Sequence, residues 1–179
     1  MQYGSSITII TAPANIKSRG NGKTCFMTAL GYAESKAGYK VIANYELNFP
    51  YIHMDLEEIV KLPDELRDAV VLVDELQEAA DSREWFKGSN KSMATFAKQL
   101  RKRNVIMYAT TQIVKEVDIR LRRQIDNIVF STPIPEGKFY IEIYEYKGNQ
   151  MKVKEFIFDG KPYFDMYKTD EIIVFEEKK

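Results

Sequence analysis

Four β-forming residues, Ile7-Thr8-Ile9-Ile10, run toward Gly20-Asn21-Gly22-Lys23-Thr24, and a helical stripe leaves that stretch through Phe26, Leu30 and Ala33, closed by Gly38. The pattern predicts a strand, a glycine-bearing loop and a helix over about Cys25 to Ala37. A glycine loop at a strand-to-helix junction can turn its N–H groups inward, and the helix N-terminus behind it adds positive potential, so the junction suits phosphate oxygens. In such a loop Lys23 reaches the terminal phosphates and the Thr24 hydroxyl can ligate Mg²⁺. The match is incomplete. The full pattern asks for glycine where Lys17 stands, and a long lead-in, Thr11-Ala12-Pro13-Ala14-Asn15-Ile16, precedes the loop. A turn before a helix can also carry Gly-Lys-Thr, so the rest of the chain must decide.

Val41-Ile42-Ala43-Asn44-Tyr45 returns as a strand, which makes a βαβ unit with a right-handed crossover and a parallel sheet. Asp55 caps a short helix through Val60 that ends before Pro63. Val70-Val71-Leu72-Val73 is a run of β-formers expected to be buried on both faces, and Asp74-Glu75 closes it. Open α/β sheets bind ligands at the carboxyl ends of their strands. There Asp74 can hold Mg²⁺, directly or through water, while Glu75 can polarise an attacking water. Either stretch alone is commonplace; the glycine loop and the acidic pair, in this order and on these element ends, support one nucleotide site.

Further on, Met93, Phe96, Ala97 and Leu100 form one apolar helical stripe, with Lys98, Arg101, Lys102 and Arg103 in the last turn. Those cations either complement the helix dipole in solvent or face a polyanion or a neighbouring subunit. Val105 to Thr110 is a third buried strand and ends in Thr111-Gln112, an amide able to bond both a γ-phosphate and its attacking water. Val117 to Asp126 reads as a helix with Val117, Leu121 and Ile125 on one face and Arg120, Arg122 and Arg123 off it; these arginines fit a salt-bridged surface or the site of an adjacent subunit. Asn127 to Ser131 is a fourth core strand. After Pro133 and Pro135 come two alternating stretches, Lys138 to Tyr146 and Met151 to Phe158, flanking Lys147-Gly148-Asn149-Gln150 as a hairpin. Period-2 aromatics such as Tyr140, Tyr144, Tyr146, Phe156 and Phe158 more often pack a sheet face than stack bases. Ile172 to Phe175 can add a last short strand.

The totals set outer bounds. At 179 residues, one domain is expected, with a core over 7–132 and a β-rich extension over 133–179. A net charge of zero removes any whole-molecule attraction to nucleic acid and leaves only local basic clusters. Cys25, the sole cysteine, excludes an internal disulfide, fits a reducing compartment and is read as a small buried thiol. No apolar run approaches the roughly 18 residues of a membrane span, and the first residues lack a signal core, so a cytoplasmic location is expected.

The ordered set Gly20-Asn21-Gly22-Lys23-Thr24, Val71 to Glu75, Thr110-Thr111-Gln112 and Ile119 to Phe130 resembles the FtsK/HerA-type P-loop ATPases, especially viral genome-packaging and zonula-occludens-toxin-like members. The likeness covers about residues 7 to 132, and the Arg101-Lys102-Arg103-Asn104 run and Tyr167 to Glu171 extend it. It implies a RecA-like (ASCE) α/β fold, a mainly parallel sheet flanked by helices with a C-terminal antiparallel hairpin, in which the sensor strand lies between the loop strand and the Asp74 strand. It also implies ATP held by Arg19, Gly20, Asn21, Gly22, Lys23, Thr24 and Cys25, and Mg²⁺ by Thr24 and Asp74. Lys23 would act on the phosphates, Glu75 as base, Gln112 as sensor, and Arg120, Arg122 or Arg123 as a finger in trans, with Arg83, Arg101 and Arg103 also able to reach an interface. The implied partners are double-stranded DNA, further copies in a ring, commonly a hexamer, and a viral portal or capsid protein. The implied work is DNA packaging or translocation for a virus or mobile element, located in the host cytoplasm if viral. A second reading is virion assembly or extrusion, and a third is a nucleotide-binding module without turnover.

Overall fold

The computed structural model describes residues 4–14, 16, 20–77, 93–117, 119–145 and 151–168, apart from the side chains of Met93, Ala94 and Glu116. Arg19, Lys17, Arg83, the Tyr146 to Gln150 connection and the Ile172 to Phe175 strand expectation lie outside the described residues.

Among the described residues, eight strands form one sheet in the order β3-β2-β4-β5-β1-β6-β7-β8. They are β1 (Ile7–Thr11), β2 (Lys40–Ala43), β3 (Ile52–His53), β4 (Ala69–Val73), β5 (Ile106–Thr110), β6 (Asn127–Ile134), β7 (Lys138–Glu145) and β8 (Met151–Asp159). From β3 to β6 all pairs are parallel, with β1 between β5 and β6 and β5 between β1 and β4. β1 and β4 are buried along their whole length, as continuous apolar runs at the centre of a parallel sheet must be. The sheet turns antiparallel at β6, so the expected hairpin of β7 and β8 continues the same sheet.

Helix α1 (Lys23–Lys36) covers one face through Cys25, Phe26, Met27 and Ala29. It lies close on β4, because a Cβ at Gly31 would sit 2.4 Å from Leu72 Cδ1. It ends as expected at Gly38, whose φ of 92° is a left-handed conformation that glycine takes freely. The 3₁₀ turn Lys161–Met166 packs on α1, and Tyr167 bridges back to Leu47. The other face is covered by α2 (Leu56–Val60), α3 (Met93–Lys102) and α4 (Ile119–Arg122), with Ile59, Leu100 and Leu121 fully buried. Asp55 caps α2 in a reciprocal capping box with Glu58.

Two expectations need correction. Among the described residues, the helix read over Val117 to Asp126 is α-helical only at Ile119–Arg122, after a 3₁₀ turn at Val114–Glu116. Gln124 N–H closes on Leu121 O at 2.8 Å and Ile125 N–H on Arg122 O at 3.2 Å, tightening the chain. Asp126 is then drawn into the sheet, its N–H bonding Ile7 O and its carboxylate accepting from Ile7 N–H, both at 2.9 Å. Val117, Leu121 and Ile125 are nevertheless all buried, as the spacing predicts. β6, for its part, runs past Ser131 through Pro133 to Ile134. Proline is tolerated there because the pairing with β1 ends at Phe130, so Pro133 faces a partner on the β7 side alone.

Candidate active site

The carboxyl ends of β1, β4 and β5 meet the N-terminus of α1, and the side chains there form a connected set. Gly22 is the N-cap of α1 with φ 76°, and Gly20 has φ 72°. Gly22 is also packed against Phe139, since a Cβ would come within 2.3 Å of that ring. The first intrahelical bond runs from Phe26 N–H to Gly22 O at 2.9 Å, so the amides of Lys23, Thr24 and Cys25 precede the helical ladder. Cys25 can offer a ligand only its main chain. Its thiol is buried, points to Gly160 O at 3.6 Å, and is pushed up to about 12 mainly by that burial.

Lys23 is 5% exposed and its ammonium donates to Asn21 Oδ1 at 3.0 Å. Asn21 is buried in turn, and its carbonyl accepts from Ser131 Oγ at 2.6 Å, which ties the loop to β6. Thr24 Oγ1 donates to Asp74 Oδ1 at 3.0 Å, and Thr110 Oγ1 donates to the same oxygen at 2.5 Å. Asn44 clips the main chain of Asp74 on both sides, accepting from its N–H at 2.7 Å and donating to its O at 3.1 Å. Burial raises the Asp74 carboxyl above its ordinary value; the Thr110 and Thr24 hydroxyls and the Lys23 charge pull the other way, and Glu75 adds to the rise.

Glu75 has φ 53°, so the chain kinks as it leaves β4, and its N–H donates to Thr110 Oγ1 at 2.9 Å. Its Oε2 accepts from the Gln77 amide, whose Oε1 accepts from Gln112 N–H at 3.2 Å. Gln112 O accepts from Thr11 Oγ1 at 3.3 Å, while the Gln112 residue is exposed. Lys23, Thr24, Asp74, Glu75 and Gln112 are thus brought together.

For a divalent cation, Thr24 and Asp74 supply hard oxygen donors that already touch. Among the described residues no group of three His, Cys, Asp or Glu assembles. A cation here would take its remaining ligands from phosphate and water, a manner of binding that suits Mg²⁺ better than Ca²⁺.

The arginines divide. Arg120 and Arg123 are exposed on and just after α4. Arg122 is half-buried, its Nε is buried without a hydrogen-bond partner, and it lines a cavity of about 710 Å³ with Gln112, Thr11, Pro13, Ile113 and Phe130. Arg101 is held inside the chain, at 3.0 Å from Asp126 Oδ2 and 2.8 Å from Gln124 O, and Arg103 donates to Pro63 O at 2.6 Å.

Sequence reasoning assigned no role to Asn44, Gln77, Thr110 or Ser131. The one signal for Asn44, Gln77 and Thr110 is position, as polar residues at or soon after the carboxyl ends of apolar strands, whereas Ser131 lies inside β6.

By sequence the chain matches no protein-family model and no curated protein. By structure it is similar to the N-terminal domain of zonular occludens toxin from Neisseria meningitidis, with a TM-score of 0.62 and 17% identity over 93% of this chain and 100% of that one. The genome-packaging NTPase of Sulfolobus turreted icosahedral virus 2, in complex with AMP, aligns with a TM-score of 0.57 and 10% identity over 84% and 97%. The flagellar accessory protein FlaH from Methanocaldococcus jannaschii gives 0.51 and 16% over 86% and 84%. The fold is that of the RecA-like P-loop NTPases. The expected strand order, with the sensor strand between the loop strand and the Asp74 strand, is observed.

Proposed function

We propose that this chain binds ATP with Mg²⁺ and hydrolyses it to translocate or package double-stranded DNA, as a ring of copies serving a virus or mobile element. The observation that carries the reading is the contact of Thr24 with Asp74, within a set that includes buried Lys23 and adjoining Glu75. A pure binder has no need of a carboxylate beyond the one that assists the metal. In this reading Lys23 exchanges Asn21 for phosphate oxygens, and the loop amides and the α1 N-terminus hold the rest of the phosphate charge. Thr24 and Asp74 would hold Mg²⁺ on the protein side, and the ion would supply positive charge against the phosphate oxygens. Glu75 takes the proton of the attacking water and Gln112 orients that water. Arg120, Arg122 or Arg123 supplies positive charge to a neighbouring copy. A portal or capsid protein is the matching partner for packaging.

The likeness to the toxin's N-terminal domain over that domain's full length supports a second reading, in which the same ATPase drives assembly or extrusion. ATP turnover with and without double-stranded DNA separates them: DNA-stimulated turnover supports translocation, and DNA-independent turnover supports assembly. Nucleotide binding without turnover sinks both. Glu75→Gln is expected to retain ATP binding and lower turnover by a factor of 10² or more, on the order of general-base losses. Normal hydrolysis in that variant removes Glu75 from the base role.

A further inference from the structure

The Gln77 side chain lies between the two residues that would have to act together on the attacking water. Its amide donates to Glu75 Oε2, and its Oε1 accepts the main-chain N–H of Gln112 at 3.2 Å. A primary amide carries a donor and an acceptor on one planar group, so it can link a carboxylate to an N–H. Glutamate at this position would lack the donor, and lysine the acceptor. The neighbours of this link are themselves fixed. Glu75 N–H is held by Thr110 Oγ1, which also holds Asp74, and Gln112 O is held by Thr11 Oγ1 at the end of the loop strand. The Glu75 carboxylate, by contrast, sits on three side-chain torsions and has its one described hydrogen bond to Gln77.

We propose that Gln77 is a positioning residue that keeps the Glu75 carboxylate in register with the end of β5, so that the seating of Gln112 sets the aim of the base. The inference rests on the assignment of Glu75 as base above. When Gln112 engages a phosphate, its main chain carries Gln77, and through it Glu75, in the same movement. The coupling runs through the Gln112 backbone, so it does not depend on the Gln112 side chain's own bonds.

The test is a double-mutant cycle in steady-state ATP hydrolysis on the full chain, with affinity for a non-hydrolysable ATP analogue and Tm recorded for each variant. Gln77→Met keeps the length and removes both hydrogen-bonding groups. It is expected to lower kcat about 10–100-fold, the usual effect of losing an outer partner of a catalytic group, with KM, analogue affinity and Tm near wild type. In the Glu75→Gln background the same change is expected to cost nothing further, because residues acting as a unit are not additive. Unchanged kcat in Gln77→Met, a loss confined to KM or Tm, or full additivity with Glu75→Gln would overturn the role of Gln77 while leaving Glu75 as base. Normal turnover in Glu75→Gln alone, or none in the wild-type chain, overturns the base assignment and this inference with it.

Discussion

Asp74 shows how a buried carboxylate opposes the stability of the fold. Its carboxyl is raised by burial despite two hydroxyl donors, so the native state binds a proton more tightly than the unfolded chain does. With more protons bound in the native state, stability falls as pH rises from the ordinary Asp value through the raised one. Asp74→Asn removes that charge and keeps an oxygen to accept from Thr24 and Thr110. The variant is expected to be more stable than wild type at pH 7 without nucleotide, by on the order of 1 kcal/mol or about 2–4 °C in Tm. The difference should shrink toward pH 4, and Mg²⁺-dependent turnover should be lost. Thermal scans from pH 4 to 8 check this, and a gain independent of pH would assign the effect to something other than the carboxylate.

At the scale of elements, Asp126 joins the start of β1, the end of α3 and the start of β6 through Ile7 N–H and Arg101. Asp126→Ala leaves a buried amide without its acceptor and a guanidinium without its carboxylate, an expected loss of about 3 kcal/mol. Asp126→Asn, which keeps an acceptor for Ile7, should cost about half as much. Urea unfolding with an unchanged m-value measures both, and equal losses would mean that the Ile7 bond contributes little. The same residue explains what the sequence could not disclose. β1, β4 and β5 were legible because strands buried on both faces are written as apolar runs. The break of the helix before Asp126 was not, since it follows from a bond to a residue 119 positions away. β3, at two residues, carries no period to read. Of the candidate site, the grouping of Lys23, Thr24, Asp74 and Glu75 was legible from spacing, whereas Asn44, Thr110 and Gln77 became partners only through the order β2-β4-β5.

Across the whole molecule, a net charge of zero gives a polyanion no general reason to approach, so any DNA contact must come from local cations. Of the cations near the end of α3, Arg101 and Arg103 are tied to Asp126 and Pro63, which leaves exposed Lys98 and Lys102. α3 leads into the start of β5, whereas Gln112 follows its end, so Lys102, the last residue of α3, lies about one strand length from the site, roughly 16 Å for five residues. That exceeds the screening length of about 8–10 Å at ordinary salt, and DNA bound there would act on hydrolysis by moving the sheet rather than by its field. Reversing both charges, Lys98→Glu with Lys102→Glu, is therefore expected to leave turnover without DNA unchanged and to weaken DNA stimulation about tenfold. The slope of log affinity against log salt should fall by about 2, since each phosphate contact contributes about 0.9. Affinity and salt slope both at wild-type values would place any DNA contact on another surface of the protein.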